Sequence, residues 1–373
     1  MYLNQLTYSQ LTASEPIEAD LVFVFGKREK LSDRAVVNSI TGFFKGATVV
    51  FSSGSGEIQD VEVVDDDLVI TSLRFNQKCY RVKLHNICNY KTSYEAGQAI
   101  GFESLGEDTQ HLLLFADGSL VNGSELVRGV NTVVPRSIGV SGGLAGDGTN
   151  FEKTLVGVNN DVKEGNIVAV ELYGEKIKVS TGCNGGWKPF GPFRKITKAV
   201  DNVLYQIDNQ PALELYKNYL GDRAKELPGS ALLFPLAISD ETSSAPVVRT
   251  ILSINEAEQS MTFAGNMPVN SSVRLMMANK EDLIDAAGKA ADDSVQHSFA
   301  AKPAFALLVS CVGRRLALGT RTEEELELIR EKLGAEVVMT GFYSYGEISA
   351  GQTGEGCNLH NQTMAITIIG END

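Results

Sequence analysis

No apolar run in these 373 residues approaches the roughly 20 that a bilayer-crossing helix needs. The opening segment, MYLNQLTYSQLTASEPIEAD, lacks the basic start and apolar stretch of a secretory signal. The two absences argue against membrane insertion and lead to the expectation of a cytoplasmic protein. Positive charge is also in deficit: 33 Lys and Arg stand against 47 Asp and Glu, a formal net charge of −14. With no basic cluster to meet a phosphate backbone, nucleic acid is excluded as a partner. Cysteines are few, scattered and odd in number: Cys79, Cys88, Cys183, Cys311 and Cys357. That pattern argues against a disulfide framework and points to free thiols in a reducing compartment. Histidine is scarcer still (His85, His111, His297, His360), and Trp187 is the only tryptophan. Hydrophobic residues at 43% and charged residues at 21% are those of an ordinary globular chain rather than a disordered one.

What the chain does have is repetition. From Leu21, LVFVF reads as a strand. SDRAVVNSITGFF follows as a helix capped by Ser32 or Asp33, with Val36, Val37, Ile40 and Phe44 at helical spacing. ATVVFSSGSGEI is then a strand and a glycine turn ending in Gly56-Glu57. The pattern returns from Leu112: LLLFADGS, a short helix SELVRGV capped by Ser124, and RSIGVSGGLAGDG ending in Gly146-Asp147. It returns again from Phe305: FALLVS, the helix TEEELELIREKLG with a Thr322/Glu325 capping box and Gly334 as its stop, and AEVVMTGFYSYGEI ending in Gly346-Glu347. Each strand-helix-strand unit predicts a parallel pair with a right-handed crossover. Alternating runs after each unit read as antiparallel hairpins. The fold class expected is α/β to α+β, with mixed sheets and outer helices built from these pseudo-repeated units plus antiparallel hairpins. QPALELYKNYLG, with Pro211 at its start and Gly221 as its stop, marks a boundary. The expected organisation is an extension over residues 1–19, one domain over 20–215 and a second over 216–373.

The glycine turns lack the Gly-Lys-Ser/Thr of a phosphate loop and the dinucleotide fingerprint. A crowded crossing of the three units is the plainer reading of them, and a shared cleft beside it the functional one. Glu57, Asp147 and Glu347 take matching places in the sequence repeat; Glu57 and Asp147 read as acceptors of backbone N–H groups. Glu347 lies among Tyr343, Tyr345, Cys357 and His360 and is the better ligand candidate. Cys357 and His360 form at most half a zinc site. A single histidine suffices to hold a haem iron. In SCVGRR, Cys311 is either a buried thiol or a nucleophile needing His360 as base, and Arg314 and Arg315 could hold a carboxylate. The Trp187 loop, CNGGWKPFG, reads equally as a pocket cap or a packed hairpin tip.

GFYSYGEIS, LHNQT and SCVGRR together resemble the C-terminal half of the FIST family. ADLVFVFG, FSSGSGEI, GVSGGLAGD, GCNGGWKPFG and IDNQPALELYKNYLG are similar to its N-terminal domain. The resemblance implies a bacterial or archaeal sensory protein that binds a small ligand, amino acids among those proposed, in a central cleft. It implies a signal passed from a stand-alone chain to a separate partner such as a histidine kinase or a cyclic-di-GMP enzyme. One branch of the family looks like haem-dependent nitric-oxide sensors, with His360 or His297 as the axial ligand here. Apart from the resemblance, four of the five cysteines could hold an iron–sulfur cluster, a lesser reading that no C-x-x-C spacing supports. The ligand-binding residues expected are Cys311, Arg314, Arg315, Tyr343, Tyr345, Glu347, His360, Asn361 and Trp187. The alternative to a sensor is an enzyme centred on Cys311 with His360, or on Glu347 as acid and base. No complete catalytic set is present, and the expectation is a non-enzyme.

Overall fold

The computed structural model describes residues 1–11, 13–227, 229–239, 246–296, 304–350 and 356–372. The repetition in the sequence becomes three copies of one arrangement. The first copy runs from an edge strand Tyr2–Thr7 to strand Leu21–Gly26, helix Arg34–Phe43 and strand Thr48–Ser53. A short hairpin (Glu57–Gln59, Glu62–Val64) and a closing strand Val69–Arg74 complete it. The second has edge strand Tyr80–Asn86, helix Ser93–Glu103, strand Thr109–Ala116, helix Gly123–Val133 and strand Gly139–Leu144. Its hairpin is Val156–Val158 with Asp161–Lys163, and Asn166–Tyr173 closes it. The third has edge strand Ile177–Asn184, helix Lys280–Gln296, strand Phe305–Cys311, helices Val312–Leu318 and Thr322–Leu333, and strand Val338–Ser344. Its hairpin is Gly346–Ala350 with Cys357–His360, and Met364–Glu371 closes it.

In each copy the two long strands pair in parallel, as the strand-helix-strand pattern predicts. The closing strand lies antiparallel beside the first of them. The hairpins do something the sequence does not announce: each leaves its own sheet and joins the next. The first copy's Glu57–Gln59 pairs with Thr340, Gly341 and Phe342 of the third. The second copy's Val156–Val158 pairs with Val50, Phe51 and Ser52 of the first. The third copy's Gly346, Glu347 and Ile348 pair with Leu144, Gly143 and Gly142 of the second. This cyclic exchange yields three six-stranded mixed sheets.

Strand alternation then decides the layers. Inward residues of all three sheets meet in one core, where the rings of Phe23, Phe25, Phe115, Phe305 and Phe342 pack with centroids 4.9–6.3 Å apart. Outward residues are covered by helices through Val37 and Ile40, Leu126 and Val130, and Leu326 and Ile329. Local signals agree in part. Asp33 caps the first helix by accepting from Ala35 N at 2.8 Å, and Gly334 ends the last at φ +86°. Asn122, not Ser124, caps the second copy's helix, because that helix starts earlier than its apolar stripe. The Thr322/Glu325 capping box does not form. The Glu325 carboxylate turns inward to a buried arginine, while the Thr322 hydroxyl donates to the Gly319 carbonyl at 2.6 Å.

The third copy carries an insertion. Strands between Lys188 and Met277 form a fourth, eight-stranded sheet with its own core of Leu204, Tyr216, Met261 and Phe263. The helix Ala212–Leu220 packs on it, and the position between residues 215 and 216 falls inside that helix. Strands from both sides of that position share three of the four sheets. Among the described residues no helix is long and apolar enough to cross a membrane.

Candidate functional site

The three glycine turns follow the second parallel strand of each copy and meet at one point. Ser55 N donates to the Tyr343 carbonyl at 2.7 Å, and Tyr343 N to the Gly56 carbonyl at 2.8 Å. Gly146 N donates to the Ser53 carbonyl at 3.0 Å, and Tyr345 N to the Leu144 carbonyl at 3.1 Å. Two glycines beneath this crossing are sterically required. A Cβ on Gly341 would stand 1.7 Å from the Leu308 carbonyl oxygen. One on Gly142, at φ +135°, would stand 2.0 Å from that of Leu114. The glycines here serve backbone crossing. Gly351 and Gly354 of the same run lie outside the described residues.

The three acids are not equivalent, which corrects the sequence alignment of the turns. Ser52, Gly143 and Phe342 sit opposite Phe25, Phe115 and Val309 in the three parallel pairs. Facing them in the exchanged hairpins are Val156, Glu347 and Glu57. Asp147 belongs instead to a longer turn in the second copy. There its carboxylate accepts from the backbone N–H groups of Phe151, Glu152 and Lys153 at 2.9–3.2 Å, and from the Tyr345 hydroxyl. Glu347 is fully buried and accepts from the Ser344 hydroxyl at 2.5 Å and from Thr363 Oγ1 and N at 2.9 and 3.2 Å. Burial dominates those bonds and raises its carboxyl to about 8. Glu57 is fully buried, neither of its oxygens has a hydrogen-bond partner among the described residues, and burial together with nearby Asp65 holds it well above the usual carboxylate range.

Several predicted ligand residues are committed to the fold. Arg314 is fully buried and donates to the carbonyls of Gly185 and Leu283 and, at 2.7 Å, to Glu325. The Tyr343 hydroxyl donates to the other Glu325 oxygen at 2.9 Å. Tyr345 stacks on Phe151 at 4.6 Å. Trp187 Nε1 donates to the Gln362 carbonyl at 2.9 Å. Cys311 is buried, which pushes its thiol up to about 12. Arg315 is the exception. It lines a cleft of about 500 Å³ beside the crossing turns, with Nη1 on the Ser55 carbonyl and Nη2 on Asp65, each at 2.5 Å.

A second concentration of polar groups lies where the inserted sheet meets the core. Arg249 Nη1 donates to the Leu359 carbonyl at 2.8 Å, and Gln362 Nε2 to the Leu232 carbonyl at 3.2 Å. Asn266 binds Asn122 and Glu125 at 3.0 and 2.8 Å. Along this seam, among the described residues, five polar atoms are buried without a partner: Arg249 Nε and Thr250 Oγ1 from the insert, and His360 Nε2, Asn361 Oδ1 and Gln362 Oε1 from the core. Buried polar groups are nearly always paired, so five orphans on two facing segments require an explanation. Burial lowers the Arg249 guanidinium to about 10, and among the described residues no carboxylate pairs with it. Burial, then the Arg249 charge, lowers His360 to about 4, so its imidazole is neutral. A cleft of about 210 Å³ opens beside the seam, lined by Asn122, Leu252, Gly265 and Tyr345. A Cβ on Gly265 would stand 2.7 Å from Arg249 Nε.

The FIST N domain model matches residues 20–210, and the FIST C domain model matches residues 212–350. The chain belongs to the FIST family. FIST domains are sensory domains that bind small ligands in signalling proteins. No curated protein matches the chain closely enough to count as a relative.

Within this FIST protein the structure brings together two of the expected residues, His360 and Asn361, with three that sequence reasoning missed. Arg249 and Thr250 sit in an ordinary alternating strand region, and Gln362 reads as a turn residue. Their one signal is position: Gln362 lies inside the His-Asn-Gln-Thr run. His360 has the free nitrogen that a haem iron needs. Neither of these two clefts has a histidine among its described lining residues. His297 lies outside the described residues. Among those described, no group of three or more His, Cys, Asp or Glu side chains is placed to hold a metal.

Proposed function

We propose that this chain is a cytoplasmic sensory protein that binds a small carboxylate-bearing ligand in the seam between the inserted sheet and the core. The observation that carries the reading is Arg249, half-buried with its Nε buried and unpartnered and with no carboxylate partner among the described residues, on the insert side of a seam whose core side holds unpartnered acceptors. An uncompensated buried charge costs several kcal/mol, about 3–5 where one partner of an ion pair is removed. A ligand carboxylate on Arg249 supplies that partner. Asn361 Oδ1 and Gln362 Oε1 then accept hydrogen bonds from ligand N–H or O–H groups. Amino acids, which the family resemblance implies, carry both.

The seam joins two bodies with separate cores, so a ligand there can favour one arrangement of insert against core. That shift is the signal, read through contact with a partner such as a histidine kinase or a cyclic-di-GMP enzyme. The high thiol pKa of Cys311 and the unpartnered His360 support binding rather than catalysis. The test is a thermal-shift panel of amino acids and short carboxylic acids on wild type and Arg249→Gln. The reading requires at least one compound that raises the wild-type Tm and leaves the variant unmoved.

A further inference from the structure

We propose that the cleft of about 500 Å³ beside the crossing turns is a second binding site, for a small organic cation, with Glu57 as the carboxyl that receives its charge. It is separate from the seam and does not depend on it.

The internal repeat supplies the control. Val156, Glu347 and Glu57 hold one position in three copies of the same fold. In the second copy that position is apolar, so the architecture needs no carboxyl there. In the third, Ser344 and Thr363 satisfy the carboxyl. In the first, both oxygens are buried and unpartnered. A fold that accepts valine at this position has no structural reason to bury an unsatisfied acid. Such exceptions mark sites.

The surroundings say what the site would take. Glu57 Oε1 lies under Gly54, where a Cβ would stand 2.9 Å away; the adjoining Ser55 lines the cleft together with Arg315, and the Glu57 carboxyl lies behind that lining. The charged groups around it are Asp65, Arg315 and Lys27. Arg315 is neutralised by Asp65 and Lys27 by Asp66. Glu323 adds a further negative charge to the cleft, and Ser55 and Thr149 add hydroxyls. The cleft therefore favours a cation with hydrogen-bonding capacity, a primary amine or a guanidine. Burial, with Asp65 beside it, raises the empty carboxyl well above the usual carboxylate range. An arriving ammonium pairs with the carboxylate form, and the displaced proton leaves to solvent.

The experiment uses the full chain with ethanolamine, putrescine and agmatine as calorimetric probes at neutral pH. Glu57→Val copies the second repeat's own solution. It is expected to raise the Tm of the free protein by roughly 2 °C or more, and to weaken probe binding about tenfold or more. Glu57→Gln, which keeps the side-chain size, is expected to weaken it equally. Arg249→Gln is expected to leave it unchanged, which separates this site from the seam. A lower Tm for Glu57→Val would show a carboxyl that the fold needs and overturn the proposal. Binding of none of the three probes, or binding indifferent to Glu57→Val, would overturn it as well.

Discussion

Arg249 of the inserted sheet reaches the core by donating Nη1 to the carbonyl of Leu359 at 2.8 Å, leaving its Nε buried and unpartnered. The bond ties the insert to the strand Cys357–His360, whose hairpin partner carries Glu347 opposite His360. Movement at this one contact therefore bears on both the insert and the exchanged hairpin of the third copy.

The buried pair Arg314–Glu325 holds the base of the third copy at 2.7 Å. Arg314→Leu leaves the Glu325 carboxylate buried with only Ser310 and Tyr343 as donors. The expected loss is about 3–5 kcal/mol, read from the urea midpoint. Arg314→Leu with Glu325→Leu together is expected to recover most of it. A single variant as stable as wild type would contradict the structural role.

Gly341 and Gly148 make a matched test of the crossing. Gly341→Ala drives a Cβ against the Leu308 backbone, and the expected cost is roughly 3 kcal/mol or more. Gly148, at φ +75° with open space around it, is expected to lose only about 1–2 kcal/mol as alanine. Denaturant unfolding of the two variants checks the order, and equal losses would be wrong for this geometry.

Glu347 gives a pH signature. Its folded carboxyl is raised from 4.5 to about 8, so the folded state binds the proton more tightly than the unfolded chain. The stability it contributes is fully present below about pH 4.5 and is lost as pH rises through about 8. Glu347→Gln stays neutral throughout. The stability difference between wild type and variant is therefore expected to move against wild type as pH rises across that window. A flat difference would mean an ordinary carboxylate.

Thiol labelling separates the binding reading from the enzymatic one. Burial pushes the thiols of Cys79, Cys183, Cys311 and Cys357 up to about 12, while Cys88 is exposed. Iodoacetamide under native conditions is expected to modify Cys88 first and Cys311 only on unfolding, as mass spectrometry of peptides would reveal. Cys311 reacting as fast as Cys88 would restore the nucleophile.

The three strand-helix-strand units were legible because period, caps and glycine stops are local properties. The exchange of hairpins was not. Glu57–Gln59 and Val156–Val158 are three residues each, too short to carry a partner's address, and their sheet is chosen by packing at the centre. The Gly-acid motif misaligned Asp147 with Glu57 because the second copy's turn is longer, and only the strand register puts Val156 there. At the seam, His360 and Asn361 stood out as polar residues before an apolar strand. Arg249 did not, since an arginine in an alternating strand reads as solvent-facing until tertiary packing buries it.

Calorimetric titration of the most stabilising carboxylate of the panel into wild type and Arg249→Gln, with Glu57→Val as the control for a correctly folded protein, reads the seam site itself. The seam site is expected in wild type and unchanged in Glu57→Val, with its affinity weakened about a hundredfold or more in Arg249→Gln. Wild-type affinity in Arg249→Gln would contradict it and move the ligand away from the seam.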